Sequence, residues 1–273
     1  MTKIAIAQTN PKILNTAENL RVILKMIEDA NKNGAELVIF PELALTGCSL
    51  TSDEAKNVAE RIPGKITNQI IEACKKNKIY AIVTLIECEG DKFYNTAILV
   101  SPDGIIGKYR KTHLPCLGVD RYLTAGDDFL LPVQTSLGRL GILICWDVFF
   151  PEASRFLALS NAQAIIIPTN WLASNDLTLE FYRIRAVENN LYVFWVNRVG
   201  EERGLLFSGR SAIISPNGEI LLRASPSEEQ LLFMDIDLKN AEQGKLSSDY
   251  PMDVLNERRP ELYSKLILSN KVE

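Results

Sequence analysis

A thiol, a carboxyl and an amine stand in this chain where side chains able to do chemistry are usually presented. Cys145 closes the run Arg139-Leu-Gly-Ile-Leu-Ile-Cys145, in which Leu140–Ile144 is short, apolar and rich in branched residues. Such a run predicts a strand covered on both faces, with Cys145 as its last residue. Pro151 and Glu152 then fall in the first turn of an expected helix. Proline's missing N–H is harmless there, and an acid meets the positive end of the helix dipole. Cys145 thus sits at a strand-to-helix switch with backbone N–H groups beside it, although on position alone inert packing is favoured for a free cysteine. Glu42 follows the apolar run Leu37–Phe40 and Pro41, and Asn170-Trp171 follow Ala164–Ile167 and Pro168. If these three strands are parallel, their carboxyl ends share one edge of a sheet, the edge where open α/β sheets bind ligands. Lys111 has to reach in from a separate extended segment, Ile105–Lys111.

A thiol nucleophile needs a base, and a carbonyl under attack needs an oxyanion stabiliser. His113, the single histidine, is one candidate base. Glu42 is the other, provided burial raises its pKa. Lys111 can keep its charge beside a carboxyl and face a developing oxyanion. Taken singly, each residue has a plainer reading. Glu42 can open a helical turn, Lys111 can be a solvated cation beside Lys108 and Arg110, and His113 can be a structural hydrogen-bonder. Arg183, Arg185 and Glu188 read as an ion-paired helix face.

The positioning elements alternate between strand and helix. Lys3–Gln8 is an expected strand that stops at Asn10-Pro11. Asn15-Thr-Ala-Glu18 resembles a capping box, and Leu20, Ile23, Leu24 and Ile27 then keep helical spacing up to Asn33-Gly34. Ile66–Lys76, Pro151–Leu159 and Leu177–Asn190 are the further expected helices. Tyr80–Ile86, Tyr94–Val100, Tyr192–Asn197, Phe207–Ser215, Glu219–Ala224 and Leu231–Leu238 are the further expected strands. Residues 116–138 read as an irregular loop that covers a site. Ala97-Ile-Leu-Val-Ser-Pro-Asp-Gly104 is echoed by Ala212-Ile-Ile-Ser-Pro-Asn-Gly218. Both are hairpins with a Pro-Asx-Gly turn. The echo suggests two similar α/β halves, each giving one sheet with helices outside it, so that stacked sheets make a four-layer sandwich.

Composition bounds the partners. The chain has 273 residues with a formal net charge of −4, and no long basic run invites a nucleic acid or an anionic membrane. The five cysteines include no C-x-x-C pair, and a single histidine rules out a histidine-based metal cage. The absence of a long apolar segment makes the cytoplasm the expected location.

Taken together, three stretches resemble the signatures of the nitrilase superfamily of carbon–nitrogen hydrolases. They are Phe-Pro-Glu42-Leu, Lys108-Tyr-Arg-Lys111-Thr-His-Leu-Pro115 and Cys145-Trp-Asp-Val-Phe-Phe-Pro-Glu152. Arg183-Ile-Arg-Ala-Val-Glu-Asn189, Phe207-Ser-Gly-Arg-Ser211 and Arg258-Arg-Pro-Glu261 extend the likeness in the same order. The resemblance implies an αββα sandwich in a single domain over residues 1–273. It also implies a Glu42–Lys111–Cys145 triad, with the backbone N–H of Trp146 sharing the oxyanion. The implied chemistry is hydrolysis of a small linear amide, of ω-amide or N-carbamoyl type, through an acyl-thioester. No metal or organic cofactor is implied, and a homodimer or larger homo-oligomer is. Many relatives carry a second glutamate after the lysine motif, where this chain offers Asp120 as candidate second acid. Asn170, Trp171, Phe149 and Tyr122, with Arg121 and Trp146, are candidate substrate contacts. Asp147 after Cys-Trp, where family nitrilases usually have Glu, favours amides. A small nitrile is the alternative substrate, and a non-catalytic ligand-binding protein is the alternative class.

Overall fold

The computed structural model describes residues 1–173, 178–241 and 253–263. The first sheet begins with β1 (Thr2–Gln8), then α1 (Thr16–Lys32), β2 (Leu37–Ile39), α2 (Ser52–Val58), α3 (Lys65–Asn77), β3 (Tyr80–Glu89), β4 (Lys92–Ser101) and β5 (Gly104–Arg110). The second sheet is built from β6 (Val133–Gln134), β7 (Arg139–Ile142), α4 (Pro151–Leu159), β8 (Ala164–Pro168), α5 (Thr178–Asn189) and β9 (Tyr192–Val196). A separate hairpin, β10 (Val199–Glu202) and β11 (Leu205–Ser208), precedes β12 (Ala212–Ile214), β13 (Ile220–Arg223) and β14 (Gln230–Ile236). Among the described residues the sheets have six strands each, in the orders β14-β1-β2-β3-β4-β5 and β13-β12-β9-β8-β7-β6.

The two sheets share one wiring. In the first, β1, β2 and β3 are parallel and β4 and β5 return antiparallel. In the second, β7, β8 and β9 are parallel and β12 and β13 return antiparallel. The echoed Pro-Asx-Gly turns join the corresponding pairs, β4–β5 and β12–β13. Each sheet is closed at the β1 or β7 side by one antiparallel strand, β14 or β6. The expected four layers are present. Along β1, Ile4 and Ile6 pack with residues of the second sheet such as Ile142 and Ile166. The alternate residues Ala5 and Ala7 pack with Ile23 and Ile27 of α1 and Ile70 and Cys74 of α3. This is the two-residue period of a strand with apolar layers on both faces.

Several expected details differ. Glu42 and Cys145 do not share a sheet edge, because β2 belongs to the first sheet and β7 and β8 to the second. The strand leading to Cys145 ends at Ile142, although the Leu143 N–H still donates to Ile166 O. The Ile144 N–H is taken by the Asp147 carboxylate at 3.0 Å, which turns the chain out of the sheet. Phe207–Ser215 is two strands, because Gly209 and Arg210 adopt positive φ between β11 and β12. The Asn15 side chain caps α1, but Glu18 completes no box and binds Arg21 instead. The complete capping box is Thr51 with Glu54, at the start of α2. Residue 177, the expected start of the helix that is α5, lies outside the described residues.

A buried carboxylate fixes the strands that deliver Lys111. Glu87 on β3 accepts from Thr96 Oγ1 of β4 at 2.8 Å, and from Lys108 Nζ and Arg110 Nη2 of β5, each at 2.7 Å. Burial works against its charge, but the hydrogen bonds from Arg110, Lys108 and Thr96 prevail and lower its pKa to about 2. A carboxyl held below its unfolded value stabilises the fold above that value and loses this contribution as pH falls toward about 2. Glu87→Gln should therefore cost about 1–3 kcal/mol at pH 7 in urea unfolding, with the difference from wild type shrinking as pH drops below about 4. A difference that does not change with pH would refute the assignment.

Candidate active site

The cleft between the sheets gathers side chains from both of them and from the loop after β5. Beyond β2 the Pro41 carbonyl accepts from Thr84 Oγ1 at 2.9 Å, and the Glu42 N–H reaches across to Thr169 O of the second sheet at 3.3 Å. Lys111 follows β5, its N–H donating to Asn95 O and its carbonyl accepting from the Gly126 N–H, both at 2.8 Å. Its side chain is only 1% exposed. Asp120 sits on a 3-10 turn, Gly118–Tyr122, which packs closely on the loop after Glu42. The Val119 N–H donates to Cys48 O at 2.8 Å, and Gly118 (φ +54°) has no room for a Cβ, which would lie 2.8 Å from the same oxygen.

These placements create a closed charge cluster. Lys111 Nζ donates to Glu42 Oε1 at 2.7 Å and to Asp120 Oδ2. Asn95 Nδ2 bridges the same two carboxylates, at 2.8 Å from Glu42 Oε1 and 3.0 Å from Asp120 Oδ1. Burial pushes the Glu42 pKa up, the Lys111 charge pulls it down and the Asp120 charge pushes it up again, with a raised value as the outcome. Burial opposes the Lys111 charge, but Asp120, Glu42 and Cys145 outweigh it and hold the amine well above the usual lysine range. Lys111 is therefore a fixed cation, and Glu42 is a carboxyl shifted toward the range of a general base.

Cys145 is buried and takes φ +46°, a left-handed conformation rare for a residue with a Cβ. It opens the 3-10 turn Cys145–Phe149, whose first N–H groups have no partner within the turn. Asp147 sets this conformation. Its Oδ2 accepts from the Ile144 N–H at 3.0 Å and from the Tyr109 hydroxyl at 2.8 Å. Its Oδ1 accepts from the His113 N–H at 3.0 Å and Thr112 Oγ1 at 3.1 Å, and His113 Nδ1 lies 2.8 Å away. One buried carboxylate thus ties the segment after Lys111 to the turn carrying Cys145. Burial and the Glu42 charge push the thiol pKa up, while the Lys111 charge and a hydrogen bond from the Asn170 backbone pull it down, leaving it well above the ordinary value. A thiol held in this way would need a base to act as a nucleophile.

A cavity of about 50 Å³ opens over these groups, lined by Glu42, Lys111, Asp120, Cys145 and Asn170 together with apolar side chains. The Asn170 amide oxygen and nitrogen are both buried without a protein partner. Trp171, Phe149 and Trp146 are not on the wall of this cavity. They form a stack of their own, with ring centroids 4.5 Å apart for Trp146–Phe149 and 5.2 Å for Phe149–Trp171. Tyr122 is 49% exposed at the end of its 3-10 turn, and Arg121 faces its ring from 5.9 Å. His113 stacks on Phe150 with centroids 3.7 Å apart, a structural position. Among the described residues no group of three or more His, Cys, Asp or Glu is arranged to hold a metal ion.

Sequence reasoning did not reach Asn95 or the buried pair Arg198–Glu202, and it took Asp147 as a mark of amide preference without its bracing contacts. Asn95 did leave a trace, since Asn95-Thr96 interrupts an otherwise apolar strand. Glu202 accepts from the Cys48 and Ser49 N–H groups at 2.8 and 2.6 Å and so holds the loop after Glu42. Its partner Arg198 donates to it at 2.6 Å, and no local pattern signals that pairing.

The family model for carbon–nitrogen hydrolases matches residues 3–245. A protein of Pyrococcus abyssi named nitrilase is 37% identical, with 96% of this chain and 99% of that protein covered. An omega-amidase of Bos taurus is 31% identical over 90% of this chain and 91% of its own length. The crystal structure of a carbon–nitrogen hydrolase from Helicobacter pylori superposes with a TM-score of 0.87 at 26% identity, covering 97% of this chain and 98% of the other.

Asp147 receives only donors, so an amide in its place turns an NH₂ toward some of them. Asp147→Asn should lose about 2–4 kcal/mol in urea unfolding, while exposed Asp53→Asn should not. Equal stability of the two variants would show that Asp147 does not brace the turn.

Proposed function

The chain belongs to the carbon–nitrogen hydrolase family, and we propose that it hydrolyses the terminal amide of a small linear substrate through a Cys145 acyl-thioester, releasing ammonia. The observation that carries this reading is the convergence of Glu42, Lys111, Asp120 and Cys145 on one cavity. An ω-amide or an N-carbamoyl compound is the proposed substrate type, and the omega-amidase and N-carbamoylputrescine amidase among the relatives support it.

Glu42 takes the thiol proton as Sγ attacks the amide carbon. The oxyanion forms against the Lys111 ammonium and the Trp146 N–H, where fixed charge in a buried site acts strongly. Glu42 returns the proton to the departing nitrogen, the C–N bond breaks and ammonia leaves. A water deprotonated by Glu42 then cleaves the thioester, giving the acid and restoring the thiol. Asp120 takes the place of the second family glutamate with one methylene less, and holds Lys111 together with Glu42. The name of the Pyrococcus abyssi relative supports a nitrile as the second substrate reading. We further propose one domain over residues 1–273, a cytoplasmic location and a homodimer or larger homo-oligomer. The exposed Ile184 and Val187 on α5 support such an assembly. No helix among the described residues is long and apolar enough to cross a membrane.

Ammonia release from a panel of short amides, N-carbamoyl compounds and nitriles tests this directly. Cys145→Ala should lower kcat by about 10⁴-fold or more, and Glu42→Gln by about 10²–10⁴-fold. Full activity of Cys145→Ala would end the thiol reading. The base must be ionised, and Glu42 is held above its ordinary value of 4.5, so the acid limb of kcat/KM should lie above pH 4.5. A limb below that pH would exclude Glu42 as the group reported.

A further inference from the structure

On the reading of the cavity as a thiol hydrolase site, we infer that Glu202, which is not on the cavity wall, is a positioning residue for the reaction, holding Asp120 against Lys111 through one peptide group, that between Cys48 and Ser49. Glu202 lies on β10 with its side chain 2% exposed, and both of its carboxylate oxygens are committed. Oε2 accepts from Arg198 Nη1 at 2.6 Å. Oε1 accepts from the N–H groups of Cys48 at 2.8 Å and Ser49 at 2.6 Å. The Ser49 N–H shares a rigid peptide plane with the Cys48 carbonyl, and that carbonyl accepts from the Val119 N–H at 2.8 Å. Val119 precedes Asp120, whose carboxylate takes the Lys111 ammonium. A charged acceptor at one end of such a chain strengthens the hydrogen bonds behind it.

The surroundings leave this relay little freedom. Gly47 has φ +79°, and a Cβ there would stand 2.6 Å from Glu202 Oε2, so the loop backbone lies directly on the carboxylate. At the far end, the Cβ that Gly118 lacks would stand 2.8 Å from the Cys48 oxygen. Arg198 fixes the carboxylate in turn. Its Nη2 donates to Pro11 O at 3.0 Å, and its guanidinium lies 4.2 Å from the Phe207 ring centroid. Arg198, Arg203 and the Cys48 thiol face Glu202 as charged or titratable groups. Burial works against the Glu202 charge, but Arg198 and the two N–H groups outweigh it and hold its pKa below the usual value. Arg203 touches the same loop at Ser49 O, 2.8 Å away, but it is 42% exposed and outside the relay. The consequence at the site has a definite sign. The Asp120 charge raises the Glu42 pKa and the Lys111 charge lowers it. If Asp120 retreats, the first effect is lost and Lys111 turns wholly to Glu42, so both changes move the Glu42 carboxyl down.

Two variants of the full-length chain break the relay at opposite ends. Glu202→Gln turns an amide NH₂ toward donors, and Gly118→Ala pushes Val119 off the Cys48 oxygen while leaving Arg198 paired. With the compound that the wild type hydrolyses fastest, each should lower kcat about tenfold with KM within about threefold, and move the acid limb of kcat/KM down by at least about half a pH unit. Arg203→Gln should change neither. Alkylation of Cys145 by iodoacetamide, followed by mass spectrometry across pH, should show the same displaced limb and reads the cluster without turnover. An acid limb that stays in place in both variants, or one that moves equally in Arg203→Gln, would overturn the inference and leave the hydrolase standing. A wild type that releases no ammonia, while its alkylation limb still moves in the two variants, would remove the hydrolase reading and leave Glu202 as the residue that positions the cluster.

Discussion

Lys111 is an ammonium with almost no water, and the rest of the structure is arranged around that fact. Burying such an ion costs several kcal/mol, recovered only with close counter-charges in good geometry. Two carboxylates supply them, from different parts of the chain. Glu42 arrives from beyond β2, and Asp120 from a turn in the loop after β5. Neither carboxylate could remain there alone. Asn95 spans them with its two amide hydrogens, so the four side chains form one unit in which each member makes the burial of the others tolerable. Stability and chemistry therefore share a cause. The same pairing that makes Lys111 a permanent cation suits it to the oxyanion role proposed for it.

Cys145 depends on a second buried carboxylate with a different task. Asp147 makes no contact with the cavity, yet it holds the left-handed turn at Cys145 and the segment directly after Lys111. A strained backbone persists where its surroundings over-determine it, and five donors converging on one side chain do that here. The thiol and the ammonium are thereby held in register across the two sheets.

Much of this was legible in the sequence. Apolar runs stopped by proline located the ends of β2 and β8, helix α4 has the boundaries that its proline start indicated, and the repeated Pro-Asx-Gly turns pointed to two sheets of one wiring. Glu42, Lys111 and Cys145 were visible as reactive types at the ends of such runs. The allocation of strands to sheets was not, because β2 and β7 present the same local signal. Nor was the stacking of Trp171 with Phe149 and Trp146, which depends on how the turn after Cys145 coils. Asn95 and Asp147 act through partners tens of residues away, and the polar interruption of a strand says that something is there without saying what it meets.

The closing strand of the first sheet has a bearing on how the molecule is made. β1 pairs with β2 early in the chain, but its other edge waits for β14, with Thr2 opposite Ile236. During synthesis most of the polypeptide must emerge before that edge is satisfied, and contacts so distant in sequence form slowly. Until then the first strand offers open backbone groups along Lys3–Gln8, the kind of edge to which another chain can add. The second half has no such delay, since β6 lies next to β7 in sequence as well as in space. Maturation is therefore uneven, with the C-terminal sheet self-sufficient and the N-terminal one dependent on the last of the described strands to leave the ribosome.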